Sequence, residues 1–437
     1  AGGGEHQSDD THIRARLFIT KLGNFYMNGK RSSIAPTRRR ALGLALGAAA
    51  VSAGLARPAR GAEPLRIGVL VDMSGPFSDY SGPTSVAAAQ MAVAEFEQVL
   101  GRPVEIISAD HQNKPDVGSA IAREWFDRRG VEAIADLTSS AVALAVQKLA
   151  ADRGKVTLLT GPATGALMNE SCSRTGFQWV LDTYSNTVGP SRMLMQQGLA
   201  SWYLIVADYA YGHQMQRDLT RSVVAAGGKV LGASLHPVST ADFSSFLLQA
   251  EVSKAQVVGM LNAGSDLINS VKQAAEFGLT QTQKFFLPGA VISDIHALGL
   301  AQAQGLLLMN GFYWDRNDES RAWSKEFYAK TRRMPGQIQA GTYSAVRHYL
   351  RCCEAAQTVE GLAVAEKMRG TLVDDVFVRG GTIRPDGRLV HDFYVVQVKS
   401  PAESKAPWDY YKQVGSIAGS DAMQPLSETR CPYLIKP

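Results

Sequence analysis

From residue 65 onward the chain alternates short apolar runs with longer stretches whose apolar positions recur every three to four residues. Leu65-Arg66-Ile67-Gly68-Val69-Leu70-Val71 is almost continuously apolar, as a strand buried on both faces requires. A loop over 72–83, rich in Ser, Gly and Pro, leads to a helix expected at 85–100. A second strand is expected at 104–109. Pro115-Asp116 then opens a helix with Val117, Ile121 and Trp125 on one face. A strand at 133–137, a helix at 140–153 and a strand at 156–160 repeat the unit. The rhythm restarts with strands at 201–206, 229–235, 257–261, 284–287 and 305–310 and helices at 211–226, 243–250 and 266–277. Helices at 319–331, 339–356 and 362–370 follow, and the turn Arg384-Pro385-Asp386-Gly387 precedes a final strand at 391–398. Alternation of this kind implies two α/β halves with parallel sheets, and a last segment that returns to the first half.

Length agrees with two packed units, because 437 residues exceed one ordinary core. Charge changes the picture only once it is located. Of the 45 basic and 40 acidic residues, ten and three lie in 1–61, a net of +7. The remaining 35 basic and 37 acidic residues give −2 for 62–437, so the body carries no nucleic-acid footprint. The basic stretch has another reading. Arg38-Arg39-Arg40 precedes an uncharged run over 41–56, and Ala59 and Gly61 stand at −3 and −1 of a cut before Ala62. That order is the pattern of an export signal, partly of the twin-arginine type, and the run is shorter than the ~20 residues that span a bilayer. We therefore expect 1–26 to be an upstream extension, 27–61 a signal peptide, and the mature protein to be periplasmic.

Four cysteines, Cys172, Cys352, Cys353 and Cys431, show no C-x-x-C spacing. Cys352 and Cys353 are neighbours on a predicted helix, where side chains diverge by about 100°. This leaves Cys172 and Cys431 as the expected disulfide. No H-E-x-x-H, G-x-S-x-G or G-x-G-x-x-G motif stands in a suitable context, so neither a catalytic residue, a metal site nor a cofactor is expected. An α/β hydrolase or transferase with dispersed residues remains the competing enzyme reading.

The chemistry that remains lies in loops at the carboxyl ends of strands, where open α/β sheets bind ligands. Thr138-Ser139-Ser140 opens a helix with hydroxyls and free amide N–H groups suited to a carboxylate. Gly161-Pro162-Ala163-Thr164-Gly165 follows the next strand, and Asp208-Tyr209-Ala210-Tyr211-Gly212 follows the first strand of the second half. Ser and Thr at such places are also ordinary helix caps.

Met73-Ser74-Gly75-Pro76 with Tyr80, Ser139-Ser140, Pro162-Ala163-Thr164, Tyr211-Gly212 and the stretch 268–279 together resemble the leucine/isoleucine/valine-binding protein family over roughly 64–400. The resemblance implies a type I periplasmic binding fold, with two doubly wound parallel-sheet lobes joined by three hinge crossings near Tyr184, Gly311 and Val390. Lobe 1 would comprise 62–184 and 312–390, and lobe 2 would comprise 185–311 and 391–437. It implies a monomeric solute-binding component of an ABC importer, with a membrane permease as partner; a ligand sensor of the same fold is the alternative. Ser139, Ser140 and Thr164 would hold a ligand carboxylate, the carbonyl of Pro162 would take an ammonium, and Tyr80 and Tyr211 would shape the pocket. The chain departs from that pattern in two places. Gly289 stands where amino-acid binders carry an acid, and Asn262-Ala263-Gly264 stands where they carry a second-lobe Tyr. Asp208, Asp266 and Asp294 are the acids a shifted alignment would offer instead. The expected ligand is thus a carboxylate lacking an α-ammonium, such as an aromatic or oxo/hydroxy acid.

Overall fold

Apolar runs at 65–71 and 201–207 each seed a parallel sheet in the computed structural model, which describes residues 62–435. The expected extension and export signal over 1–61 lie outside the described residues. The first sheet contains β1 (Leu65–Val71), β2 (Val104–Asp110), β3 (Val131–Asp136), β4 (Val156–Leu159) and β5 (Gly176–Gln178), in the order β2-β1-β3-β4-β5. Its central strands are buried on both faces, which explains their unbroken apolar sequences. Helices α1 (Gly82–Val93), α2 (Pro115–Arg128) and α3 (Ser140–Asp152) connect them. After β5 the chain forms α4 (Thr183–Gln196) and enters a second parallel sheet. Its strands are β6 (Ser201–Ala207), β7 (Lys229–His236), β8 (Val257–Leu261) and β9 (Lys284–Phe286), in the order β7-β6-β8-β9. Helices α5 (Ala210–Ala225), α6 (Ser244–Val252) and α7 (Ser265–Glu276) connect these strands.

The third part of the chain moves between the two sheets. Strand β10 (Leu307–Asn310) is followed by the helix Gln337–Ala356, which returns to pack on α1 of the first sheet. The short hairpin β11 (Thr382–Ile383) and β12 (Leu389–Val390) turns at Asp386-Gly387. Then β13 (Phe393–Val398) pairs antiparallel with β10 and with β14 (Tyr411–Ile417). A buried ion pair pins this return: the Arg388 guanidinium donates to Asp182 at 2.6 Å, and Asp182 also caps α4 through the Ser185 N–H.

Several elements differ from expectation for identifiable reasons. Helix α1 runs over Gly82–Val93 rather than 85–100, and just beyond its end Glu95 accepts from Arg347 at 2.7 Å and from Tyr343. Helix α4 was not expected; its internal Gly189-Pro190 interrupts the helical pattern in the sequence. Strand β14 follows the strand expected to be last; its polar, half-exposed sequence marks an edge. The tail after it reaches back to the first part of the chain, as the expected pairing of Cys172 with Cys431 requires. The Arg430 N–H donates to Asn169 at 2.9 Å, and Cys431 is disulfide-bonded to Cys172, with Cα atoms 5.5 Å apart. Cys352 and Cys353 are buried thiols.

Candidate functional site

The carboxyl ends of β3 and β4 face those of β6 and β8 across a narrow cavity of about 20 Å³. One wall is hydroxyl and amide: Thr138, Ser139, Ser140 and the backbone of Gly161, Pro162 and Ala163. The other is aromatic and small: Tyr209, Tyr211 and Ala263, with Phe77 and Tyr80 beside them. No Asp or Glu is among the described residues that line it.

The first wall is shaped by an unusual backbone. Asp136, Leu137 and Ser139 all have positive φ, at 73°, 62° and 127°. Non-glycine residues enter this region at a cost, and such outliers gather where a site over-determines them. The result is that Ser139 precedes α3 without capping it. Its hydroxyl is buried and has no hydrogen-bond partner, while the first N–H groups of α3 also lack helical acceptors. Behind it, Thr138 donates to Asp136, and the Thr138 and Ser81 hydroxyls are 2.7 Å apart. Burial pushes the Asp136 carboxyl up to about 6.

The hydroxyls beside Ser139 are spent differently. Ser140 Oγ accepts from the Thr164 N–H at 3.2 Å, which ties the two loops together. Thr164 lies just outside the cavity, and its hydroxyl accepts from the Ala166 N–H at 3.4 Å as the cap of a short 3-10 turn. It therefore serves as a cap through its oxygen, while its O–H is left to donate. The Pro162 carbonyl, expected to take an ammonium, already accepts the Gln178 amide at 3.1 Å.

In the second wall, Tyr211 Oη is buried and makes no hydrogen bond of good geometry; the Asn186 side chain, whose amide oxygen is likewise unpartnered, is its polar neighbour. Its ring packs on Tyr209 at 5.9 Å between centroids, and Tyr209 packs on Phe77 at 6.3 Å. Burial raises the Tyr80, Tyr209 and Tyr211 hydroxyls above the ordinary tyrosine value, so they stay protonated donors. Asn262 and Gly289 do not line the cavity. The Asn262 side chain turns into the core, 3.3 Å from both His236 and Ser270, and Gly289 lies behind the Tyr211 hydroxyl. None of the three alternative acids reaches the cavity. Asp208 binds His213 at 2.8 Å, Asp266 accepts from the Ser239 N–H at 3.0 Å, and Asp294 accepts from the Val291 N–H at 2.9 Å. Phe77 was missed in the sequence; the only signal was an aromatic residue inside a Ser/Gly/Pro loop.

Comparison with known proteins agrees with this architecture. The periplasmic binding protein family matches residues 64–405. A periplasmic binding protein of Burkholderia mallei is 42% identical, with a TM-score of 0.84 over 86% of this chain and 100% of that one. A branched chain amino acid ABC transporter periplasmic ligand-binding protein of Burkholderia xenovorans is 40% identical, with a TM-score of 0.76 over 84% of this chain and 99% of that one. Leu/Ile/Val-binding protein homolog 6 of Brucella melitensis is 26% identical, over 68% of this chain and 75% of its own length. The chain belongs to the periplasmic binding protein family, the exported components of ABC transporters that bind small molecules and interact with a membrane permease.

Proposed function

We propose that this protein captures a small carboxylate without an α-ammonium, an aromatic or oxo/hydroxy acid, and delivers it as a monomer to its permease. One observation carries the reading. The cavity presents uncommitted hydroxyls on opposite walls, Ser139 and Tyr211, but no acid. Ser139 and the first amides of α3 supply donors for a carboxylate, helped by the helix dipole. An ammonium would find the Pro162 carbonyl already accepting one hydrogen bond and no carboxylate among the lining residues, at a penalty of several kcal/mol.

Room of about 20 Å³ suits little more than a water, so a ligand of benzoate size enters by movement of the walls. Contacts across the cleft include the Ser265 N–H to the Pro76 carbonyl at 3.3 Å and Phe77 on Tyr209, and hinge opening would break them. The hinge would lie at the passages near Tyr184, Gly311 and Val390. A dissociation constant near micromolar, about −8 kcal/mol, suits capture followed by release. Calorimetric titration with leucine, benzoate and 4-methyl-2-oxopentanoate tests the reading. At least one of the two acids should bind more tightly than leucine. Tight leucine binding with no response to either acid would overturn it.

A further inference from the structure

Gly289 follows β9 with an ordinary backbone conformation, so no turn geometry demands a glycine there. The demand comes from its neighbours. A Cβ at this position would stand 2.6 Å from Tyr211 Oη and 2.6 Å from the Asn262 carbonyl oxygen. Contacts that short force something to move. The Asn262 carbonyl belongs to backbone at the end of β8, beside a side chain held between His236 and Ser270. The Tyr211 hydroxyl is the free end of a side chain, and it gives way first. Any residue larger than glycine would displace the phenol from its present place, and the cavity that its ring lines has almost no spare volume to absorb the change.

We propose that Gly289 is a specificity-determining residue that acts through Tyr211: lacking a side chain, it leaves the Tyr211 hydroxyl standing in the cavity as a donor. A residue with a side chain here and the phenol in its present place exclude one another. Position 289 thus chooses between a group of its own and the Tyr211 O–H. With glycine, the preferred ligand carries a second acceptor, a hydroxyl or oxo oxygen, besides its carboxylate. This rests on the carboxylate reading above and narrows it. A buried O–H left without an acceptor penalises ligands that lack one.

The test compares matched acids by calorimetry: benzoate against 4-hydroxybenzoate, and 4-methylpentanoate against 4-methyl-2-oxopentanoate. In the wild type, the member with the extra oxygen should bind about tenfold tighter in at least one pair. Tyr211→Phe should bring that ratio close to one. Gly289→Ala should do the same, and adding it to Tyr211→Phe should leave the ratio unchanged, because the group it displaces is already gone. A general loss of stability lowers both members of a pair and does not move the ratio. A ratio that survives Tyr211→Phe, or that survives in folded Gly289→Ala, overturns the proposal while leaving the carboxylate reading intact. If Gly289→Ala does not fold, wild type against Tyr211→Phe decides. Tight leucine binding with no response to any of the four acids overturns both.

Discussion

The two walls of the cavity are built from equivalent places, the carboxyl ends of parallel strands, yet they solve different problems. The wall from β3 and β4 concentrates hydroxyls and amides and holds them with three non-glycine residues at positive φ. The wall from β6 and β8 has phenols and a small residue, and the glycine behind it, Gly289 after β9, relieves crowding rather than strain. On the reading proposed above, one wall would bind charge through fixed donors and the other would select shape. A fold repeated in two halves therefore does not imply a divided function of the same kind in each.

Substitutions at two glycines should separate the walls most sharply. A Cβ at Gly161 would press into Thr138 Oγ1 and stand 2.5 Å from Asp136 Oδ1, within one wall. Gly161→Ala should cost about 1–3 kcal/mol of stability without ligand and abolish binding, as read by thermal melting and calorimetry. Gly264 has φ +62°, and its Cβ would press on the Pro76 carbonyl across the cleft. Gly264→Ala should hold the walls apart, so small-angle scattering with saturating ligand gives a larger radius of gyration than wild type. If scattering is unchanged, the contact does not resist closure.

Within the polar wall, Ser139 and Thr164 should part company. The Ser139 hydroxyl caps nothing, so Ser139→Ala should weaken carboxylate binding by about 1.5–3 kcal/mol, tenfold or more, with apo melting unchanged or slightly raised. Thr164→Ala should do the reverse, lowering apo stability by about 0.5–1 kcal/mol with affinity nearly unchanged. Equal losses of affinity in the two variants would erase the distinction.

The smallest effect concerns the acids behind each wall. Burial raises Asp136 to about 6 and Asp294 to about 7, from an ordinary 3.8. Between roughly pH 4 and 7 the folded protein holds protons that the unfolded chain has released. The contribution of these two acids is therefore most favourable at the acid end and is lost as pH rises through that window. Asp294→Asn keeps an acceptor for the Val291 N–H but cannot ionise, so melting between pH 5 and 7.5 should depend less on pH than in wild type. An unchanged slope would assign the effect to other groups.

Strands such as 65–71 and 257–261 were legible to the residue, because a strand buried on both faces writes an unbroken apolar run with sharp polar ends. Strand β14 and helix α4 were not, one for its polar edge and the other for its internal Gly189-Pro190. Hydroxyl-rich loops at strand ends were visible as candidates. Which hydroxyl is free was not, since Ser139, Ser140 and Thr164 carry the same chemistry and differ only in backbone turns set by the surrounding fold. Gly289 was legible as a missing acid, but its contact with Tyr211 is tertiary and leaves no local pattern.

The bond between Cys172 and Cys431 closes a covalent ring over more than half of the chain, its ends separated by 259 positions in sequence. The whole second sheet and the helix Gln337–Ala356 lie inside that ring. A protease that cuts one exposed loop within it therefore releases nothing: the nicked molecule stays one covalent species until a reductant opens the bond. Damage to such a protein would be invisible to gel analysis without reduction and would appear as two fragments with it.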